Sequence, residues 1–155
     1  MVYIKAPSNV PLVSHDSKYL FLAGSIETGT EEMWQEQVRN QLRDTNWTIL
    51  NPYRDDWDSS WVESKDDSNF REQVDWELNA QEMRAVTILM YFAPGTESPI
   101  SLLEFGLFAR TGRMLVVCPE GFWKKGNVDV VCERYGVKQY DSIDDALEGL
   151  LKSKS

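Results

Sequence analysis

The chain has 155 residues, of which 42% are hydrophobic and 26% are charged, a composition typical of one globular domain. Its 25 acidic and 16 basic residues give a net charge of −9, which argues against nucleic acids and anionic membranes as partners. Two cysteines (Cys118 and Cys132) and one histidine (His15) are too few to build a metal site, so no metal is expected.

Two kinds of apolar segment alternate along the chain. Short apolar runs between polar or glycine residues predict buried strands, and apolar residues at three- or four-residue spacing predict amphipathic helices. The predicted elements are, in chain order, an N-terminal arm (1–17), a strand (19–23), a helix (31–44), a strand (47–50), a polar loop (51–68), a helix (69–84), a strand (86–92), a helix (98–110), a strand (114–118), a helix (127–135), a strand (137–140) and a final helix from 142.

Local signals mark two of the helix starts. Thr28 and Glu31 have the spacing of a capping box. Ser98 followed by Pro99 predicts a helix whose N-cap is the serine, because proline is favoured at the first helical position. Both starts follow a short loop after a predicted strand.

Alternation of five strands with five helices predicts an α/β fold with one doubly wound, flavodoxin- or Rossmann-like, mainly parallel sheet covered on both faces. The single domain is expected to span residues 18–152. Right-handed crossovers favour the strand order 2-1-3-4-5, in which the winding reverses between the first and third strands. Ligands bind at the carboxyl ends of such strands, so the loops 24–30 and 93–98 are the expected ligand-binding loops.

Glu104 is the strongest candidate for a chemical role. Its helix is apolar nearly all round, which predicts that the helix is buried. A carboxylate in such a helix is costly unless it is paired or faces a cavity. We therefore weigh a nucleophile or general base against a structural salt bridge to Arg110 or Arg113.

Glu77 is the second candidate. It follows Val74 by three residues and Phe70 by seven, which places it on the predicted buried stripe of its helix. The functional interpretation is a second active-site carboxylate. The alternative is an ion pair with Arg84 or Lys65.

Two loops could bind a substrate. Gly24, Ser25 and Ile26 follow the first strand, where glycine allows a close backbone approach and serine offers a hydroxyl; the segment lacks the G-x-G-x-x-G dinucleotide motif. The loop 51–68 is long and polar and contains aromatic residues, and long loops of this kind are often functional. Its candidates are Asp55, Trp57 and Asp58, with Trp57 suited to stacking on a planar base.

The segments WELNAQEMRAVTILMYF and SPISLLEFGLFA resemble the nucleoside 2-deoxyribosyltransferase family, as do FLAGSIE, NPYRDDWD and CPEGFWKKGN, which extend the resemblance over roughly residues 19–140. The resemblance implies that Glu104, in Glu-Phe-Gly, is the nucleophile that attacks C1′ of the sugar. It also implies that Glu77 donates a proton to the departing base.

Further roles follow from the same resemblance. Phe21 to Ser25 correspond to the segment that lines the sugar site, and Ser98 would join Ser25 in holding sugar hydroxyls. Asn127 resembles an asparagine that reaches into the site of a neighbouring subunit, so a homo-oligomer is expected. The implied substrates are a nucleoside and a nucleobase, without any cofactor.

The chain departs from the better-known transferases at two positions. It has Phe21 where they carry tyrosine and Ser98 where they carry aspartate; a serine there is similar to the related deoxynucleoside 5′-monophosphate N-glycosidases. Those hydrolases carry arginine in the first loop, whereas this loop has Glu27, Glu31 and Glu32, which would repel phosphate.

Three functions therefore stay open from the sequence. The first is transfer of a deoxyribosyl group between nucleobases through a glycosyl–glutamate intermediate. The second is hydrolysis of a deoxynucleoside or its 5′-monophosphate, and the third is binding of a nucleoside or nucleotide without cleavage. The N-terminus lacks a secretory signal pattern and no apolar run reaches the length of a membrane span, so the cytoplasm is the expected location.

Overall fold

The computed structural model describes residues 1–11, 16–26 and 31–153. Within these residues, six strands form one sheet in which all neighbours are parallel. The strands are β1 (Val2–Lys5), β2 (Lys18–Gly24), β3 (Trp47–Asn51), β4 (Val86–Tyr91), β5 (Met114–Val117) and β6 (Lys138–Tyr140). The helices are α1 (Glu31–Gln41), α2 (Ser68–Glu82), α3 (Pro99–Phe108), α4 (Lys125–Tyr135) and α5 (Ile143–Ser153), and a 3₁₀ turn (Ala109–Thr111) follows α3.

The strand order is β1-β3-β2-β4-β5-β6. The five predicted strands therefore lie in the predicted order, and the α/β fold is confirmed. The difference is β1, which lies in the segment expected to be an arm and pairs with β3 from Val2–Thr48 to Lys5–Asn51. Its four residues are too few for a periodic pattern to stand out, and its place at the sheet edge is decided by pairing with β3.

Helices cover both faces of the sheet. One apolar cluster packs α2, α3 and α4 against one face, and a second packs α1 and α5 against the other. The central strands are nearly continuous apolar runs, as expected for strands that are buried on both faces. Cys118 and Cys132 are buried free thiols in the first cluster.

The winding reverses between β2 and β4. The chain leaves β2 through α1 towards β3, then returns over β2 through α2 to reach β4. The helices α2 and α3 therefore lie side by side above the two central strands, and the carboxyl ends of these strands meet at Gly24 and Tyr91. This arrangement brings the two candidate carboxylates, one on each helix, to the same face of the sheet.

The buried stripe predicted on α2 is wrong in detail. Phe70, Val74 and Leu78 are only partly buried, whereas the fully buried positions of the helix are Gln73, Ala80 and Gln81. The two glutamines are inside because they have hydrogen-bond partners there, Glu104 of α3 for Gln81 and Glu77 and the backbone of Pro52 for Gln73, which apolar periodicity cannot reveal. His15 and the capping residue Thr28 lie outside the described residues.

The prediction that α3 is buried all round is also wrong for the single chain. Ile100, Leu103 and Leu107 are 52%, 59% and 54% exposed, and we call these three residues the α3 stripe. The opposite side of the helix contains the buried residues Glu104 and Phe105. A helix that is apolar on all sides but packs on only one leaves an apolar surface in contact with solvent.

Candidate active site

Glu104 lies in the second turn of α3, on the side that faces α2 and the sheet. It is 8% exposed, and its helix packs on an apolar cluster: the neighbouring Phe105 packs edge-on against Phe92, which follows β4, and Phe21 and Trp76 belong to the same cluster. The carboxyl group is therefore held in a largely apolar environment. Burial of this kind penalises the charged form unless a hydrogen bond compensates.

Gln81 of α2 supplies that hydrogen bond. Its Nε2 donates to Oε2 of Glu104 and, at 3.3 Å, to the backbone oxygen of Glu77. The Gln81 side chain is completely buried. An amide rather than a cation thus binds the candidate nucleophile, which leaves the carboxylate without charge neutralisation.

Glu77 has a second glutamine partner. Nε2 of Gln73 donates to Oε1 of Glu77 at 3.1 Å and to the backbone oxygen of Pro52 at 2.7 Å. This amide ties the start of the long loop after β3 to the carboxyl group on α2. Glu77 is partly exposed and is the more accessible of the two carboxyl groups.

The sequence analysis missed both glutamines. Gln73, Glu77 and Gln81 follow one another at four-residue intervals, so they form a polar row along one side of α2. The row is visible in the sequence. Polar residues that repeat at helical spacing beside an apolar stripe indicate either a solvent-exposed face or a buried row of hydrogen-bonded side chains.

The environment raises the pKa of both carboxyl groups. The pKa of Glu104 is raised to about 8, mainly by desolvation through burial and in addition by the negative charge of Glu77, while the hydrogen bond from Gln81 opposes the rise. Desolvation raises the pKa of Glu77 to about 7, against the hydrogen bond from Gln73. Near neutral pH the pair therefore holds a proton and can both donate and accept one.

The structural alternatives to a chemical role are not realised among the described residues. Arg113 donates to the backbone oxygens of Gln81, Met83 and Val86 at 2.7, 3.0 and 2.7 Å. Arg110 lies over the ring of Tyr135.

No ion pair joins Glu104 to either arginine in the part of the chain that the structure describes, and none joins Glu77 to Arg84 or Lys65. The two carboxyl groups are thus partnered by amides alone.

Three hydroxyl groups meet where β2 and β4 end. Oγ of Ser25 lies 3.1 Å from Oγ1 of Thr96 and 2.8 Å from Oγ of Ser98, and it accepts from the backbone N–H of Ala93 at 2.8 Å. All three side chains are buried. This cluster joins the two loops that the topology singles out and sits at the start of α3.

Gly24 makes this approach possible. Its φ is +141°, and a Cβ atom at this position would collide with the backbone of Tyr91, whose oxygen accepts from the N–H of Ser25 at 2.9 Å. Ser98 occupies the predicted N-cap position and Pro99 the first position of α3, which confirms the predicted helix start, although the Ser98 side chain makes no capping hydrogen bond. Its left-handed backbone, with φ 46°, turns the hydroxyl towards Ser25 and Thr96 instead.

Two further residues predicted for the substrate site, one in β2 and one in the loop after it, differ in their exposure to solvent. Phe21 is 1% exposed and belongs to the core, where it packs on Trp76. Ile26 is 63% exposed at the end of the described part of this loop. Phe21 and Ile26 are thus at opposite extremes of accessibility.

A buried arginine organises the loop after β3. Arg54 forms salt bridges to Asp56 and Glu72 at 2.9 Å each and lies over the ring of Trp61. Trp57 packs edge-on against Trp61 at a centroid distance of 4.9 Å and is 45% exposed. The sequence analysis did not single out Arg54, although an arginine among acidic residues, as in Arg-Asp-Asp, is a visible sign of such a network.

The two acidic candidates of this loop face solvent. Asp55 pairs with Nζ of Lys5 at 3.0 Å, and Oδ1 of Asp58 accepts from the N–H of Ser60 at 2.8 Å. Asn127 is exposed in the first turn of α4. The structure brings Glu77 and Glu104 together, and it brings Ser25 and Ser98 together; Asp55, Asp58 and Asn127 each lie elsewhere on the surface.

Two cavities lie away from the carboxyl pair. One, of about 280 Å³, is lined by Lys125, Asp129, Gln139, Tyr140 and Asp141. The other, of about 350 Å³, lies at the amino ends of β4, β5 and β6, where Arg84, Arg113 and Lys138 border it. Neither includes Glu77 or Glu104 in its lining.

Among residues 1–11, 16–26 and 31–153, no group of three or more His, Cys, Asp or Glu side chains is arranged to hold a metal ion. No helix in this part of the chain has both the length and the apolar character needed to cross a membrane.

A family model described as "nucleoside 2-deoxyribosyltransferase like" matches residues 17–122. The match includes both carboxyl groups and all three hydroxyls of the cluster, and it ends before Asn127. No curated protein matches the chain.

Proposed function

Because the chain belongs to the nucleoside 2-deoxyribosyltransferase-like family, we propose that it cleaves the N-glycosidic bond of a 2′-deoxynucleoside and transfers the deoxyribosyl group to another nucleobase. One observation supports this beyond the family: two buried carboxyl groups with raised pKa values lie on adjacent helices and are bound by amides instead of cations. Carboxyl pairs of this kind suit glycosyl transfer through a covalent intermediate.

Glu104 would act as the nucleophile. Its ionised carboxylate attacks C1′ of the sugar, the C1′–N bond breaks, and the base leaves with the bonding electrons. The product is a glycosyl ester of Glu104. Because no cation neutralises this carboxylate, it stays a stronger nucleophile than a salt-bridged one.

Glu77 would protonate the departing base. A carboxyl group with a pKa of about 7 is half protonated at neutral pH, so it can give a proton to the base and recover it when the second base attacks the ester. The acid must be the more accessible group, because it exchanges protons in every cycle, and Glu77 is the more exposed of the pair. Written this way, the reaction needs neither a metal nor an organic cofactor.

Substrate contacts are assigned from the sequence and the cluster at the strand ends. Gly24, Ser25, Ile26 and Ser98 would line the sugar site, with Phe21 part of the core that supports it, and Asp55, Trp57 and Asp58 would contact the base. The exposed indole of Trp57 supports this role, since it offers a free apolar face for stacking. The sequence after Ile26 contains Glu27, Glu31 and Glu32, and this acidic composition disfavours a 5′-phosphate, so a nucleoside is preferred over a nucleotide.

A second copy of the chain would complete the site. Asn127 is exposed in the single chain and can reach a substrate in a neighbouring subunit only if the chain assembles. The α3 stripe supports assembly, because three large apolar side chains on one helix are more than half exposed. We therefore include a homo-oligomer in the proposal.

The deciding experiment incubates the protein with a 2′-deoxynucleoside and a different free base and follows both by chromatography. A new deoxynucleoside supports transfer. Free deoxyribose, or deoxyribose 5-phosphate when a deoxynucleoside 5′-monophosphate is the substrate, would replace the proposal with hydrolysis. Binding by calorimetry without any turnover across a broad panel would replace it with a non-catalytic binding module.

A further inference from the structure

Gln81 has no role in the resemblance from which Glu104 and Glu77 were assigned. Its side chain is completely buried, and its Nε2 donates to Oε2 of Glu104 across the boundary between α2 and α3. A buried side chain whose N–H group donates to the candidate nucleophile either serves the fold alone or is part of the site. Three observations indicate that Gln81 is part of the site.

The first contact holds the backbone of Gln81. The guanidinium of Arg113 donates to its carbonyl oxygen at 2.7 Å, and the same guanidinium binds the carbonyls of Met83 and Val86. The end of α2 is therefore fastened to the segment that precedes β5. A residue fixed in this way loses little further freedom when it binds a carboxylate, which is the condition for pre-organisation.

The second contact holds the side chain. Besides Glu104, Nε2 of Gln81 donates to the backbone oxygen of Glu77 at 3.3 Å, one turn earlier in α2. Both hydrogens of the amide are thereby directed, one along the helix and one towards α3. The direction in which the Glu104 carboxylate points is set by this pair of bonds.

The third observation concerns the other half of the amide. Within the described residues, Oε1 of Gln81 is buried and has no hydrogen-bond partner. A buried unsatisfied acceptor is unfavourable and rare in folded proteins. Rotation of the amide about its last bond exchanges Oε1 with Nε2, so the same side chain can accept a hydrogen bond from Glu104 once that carboxyl group is protonated.

Of the described groups around Glu104, Gln81 is the one that hydrogen-bonds to its carboxyl group. From α2 the facing charged group is Glu77, which repels the carboxylate. From the side of β5, Arg113 is engaged with backbone oxygens, and Arg110 lies over Tyr135. On the sheet side, α3 packs on an apolar cluster that includes Phe21 and Phe92.

We propose that Gln81 is the positioning residue for the nucleophile of the proposed reaction: its amide orients the Glu104 carboxylate by donating to the ionised form and accepting from the protonated form. The proposal rests on the proposed function for its catalytic meaning, but the contact itself can be measured without turnover. Gln81→Met removes the donor and the acceptor while keeping the length of the side chain.

The experiment titrates the carboxyl carbon of Glu104 by ¹³C NMR in wild type, Gln81→Met and Gln35→Met, with the signal assigned from Glu104→Gln. The hydrogen bond that Gln81 donates to the ionised carboxylate is charge-assisted and stronger than the one that it accepts from the protonated form, so losing both should raise the pKa of Glu104 by about one unit in Gln81→Met. Gln35 is the matched control: it is also a buried glutamine with one unpartnered amide atom, but it lies on α1 on the other face of the sheet. Its variant should leave the Glu104 titration unchanged.

Kinetics separate positioning from a general loss of structure. If the enzyme is active, Gln81→Met should lower kcat roughly tenfold with little change in KM, and the pH profile should move to higher pH by the same shift as the Glu104 titration. A merely structural role would lower the melting temperature without moving the profile. If the wild type turns over no nucleoside, the proposed function fails while the titration still tests the contact.

An unchanged Glu104 titration in folded Gln81→Met would overturn the proposal. If that variant does not fold, the wild type provides the test: the side-chain amide ¹⁵N and ¹H shifts of Gln81 should follow the Glu104 titration with the same midpoint. Amide signals that stay constant through that midpoint would overturn the proposal equally.

Discussion

The negative charge of Glu77 on α2 raises the pKa of Glu104 on α3. The two carboxyl groups belong to helices that pack side by side on one face of the sheet, and each is bound by a glutamine of α2. Since neither is neutralised by a cation among the described residues, ionising one makes it harder to ionise the other. The pair therefore behaves as one coupled acid with two proton-dissociation steps.

The first prediction concerns the nucleophile. Glu104→Gln should lower glycosyl transfer on the order of 10³-fold or more, because the amide cannot form the ester intermediate. Glu82→Gln, the same change at an exposed position of α2, is the control and should keep wild-type activity. Base release by each variant is measured by chromatography. Substantial activity in folded Glu104→Gln would mean that another residue is the nucleophile.

The second prediction concerns the pH dependence of the rate. The reactive form has Glu104 ionised and Glu77 protonated, and with pKa values of about 8 and 7 this form is only about a tenth of the singly protonated molecules. The rate should rise through pH 7, peak between 7 and 8, and fall through pH 8. The measurement is kcat/KM across this range.

Glu77→Gln separates the two steps of that profile. It removes the charge that raises the pKa of Glu104, so the remaining ascending limb should move to lower pH and the descending limb should disappear. The variant should be slower at its optimum because the base leaves without a proton. A descending limb that survives in Glu77→Gln would show that another group is the acid.

The third prediction concerns stability. Both carboxyl groups have pKa values above the 4.5 of a free glutamate, so the folded state binds more protons than the unfolded state between pH 4.5 and 8. Their contribution to stability is full below pH 4.5 and is lost as the pH rises through 7 and 8. Glu104→Gln should therefore be more stable than wild type by roughly 2 kcal/mol or more at pH 9, with a much smaller difference at pH 5.

Urea unfolding at the two pH values measures this difference. Glu82→Gln should show no comparable change between pH 5 and 9, since that side chain is exposed. An equal effect of Glu104→Gln at both pH values would mean that the buried carboxyl group does not change its protonation on unfolding.

The fourth prediction concerns assembly. Leu103→Lys places a charge in the middle of the α3 stripe and should shift the protein to the monomer in size-exclusion chromatography with light scattering. Val62→Lys is the control, because Val62 is similarly exposed, at 64%, but lies in the loop before α2. A monomeric wild type would contradict the proposed homo-oligomer.

The fifth prediction concerns Asn127. Since its side chain is exposed, Asn127→Ala should keep the stability of the chain but lose activity if the residue serves a neighbouring site. Subunits with Asn127→Ala and subunits with Glu104→Gln should then regain activity when they are unfolded together and reassembled, because some mixed sites contain both native residues. Inactive mixtures that assemble normally would place the role of Asn127 within its own subunit or remove it.

Much of the fold is readable from the sequence. Apolar runs bounded by glycine or polar residues mark β2, β3, β4 and β5, and their alternation with helices requires parallel strands and right-handed crossovers. The strand order and the importance of the loops after β2 and β4 follow from that. The unusual position of Glu104 is also readable, because one carboxylate among apolar residues of a helix stands out against its neighbours.

The sequence alone could not choose the partner of that carboxylate. It offers Arg110 and Arg113 at short sequence separation, whereas the structure pairs Glu104 with Gln81, which lies 23 residues earlier. Likewise, apolar periodicity put Phe70, Val74 and Leu78 inside, while the buried positions are Gln73, Ala80 and Gln81. In both cases the missing quantity is how α2 is rotated against α3.

Local periodicity determines which segments become helices and strands, because a chain's hydrogen bonding and side-chain direction repeat within each element. It does not determine how two helices far apart in the chain turn towards each other, since that depends on the packing of their side chains over a shared sheet. The sequence by itself therefore specified the layers and marked Glu104, and only the tertiary structure decided that an amide binds it, that Ser25 and Ser98 meet, and that one side of α3 remains uncovered.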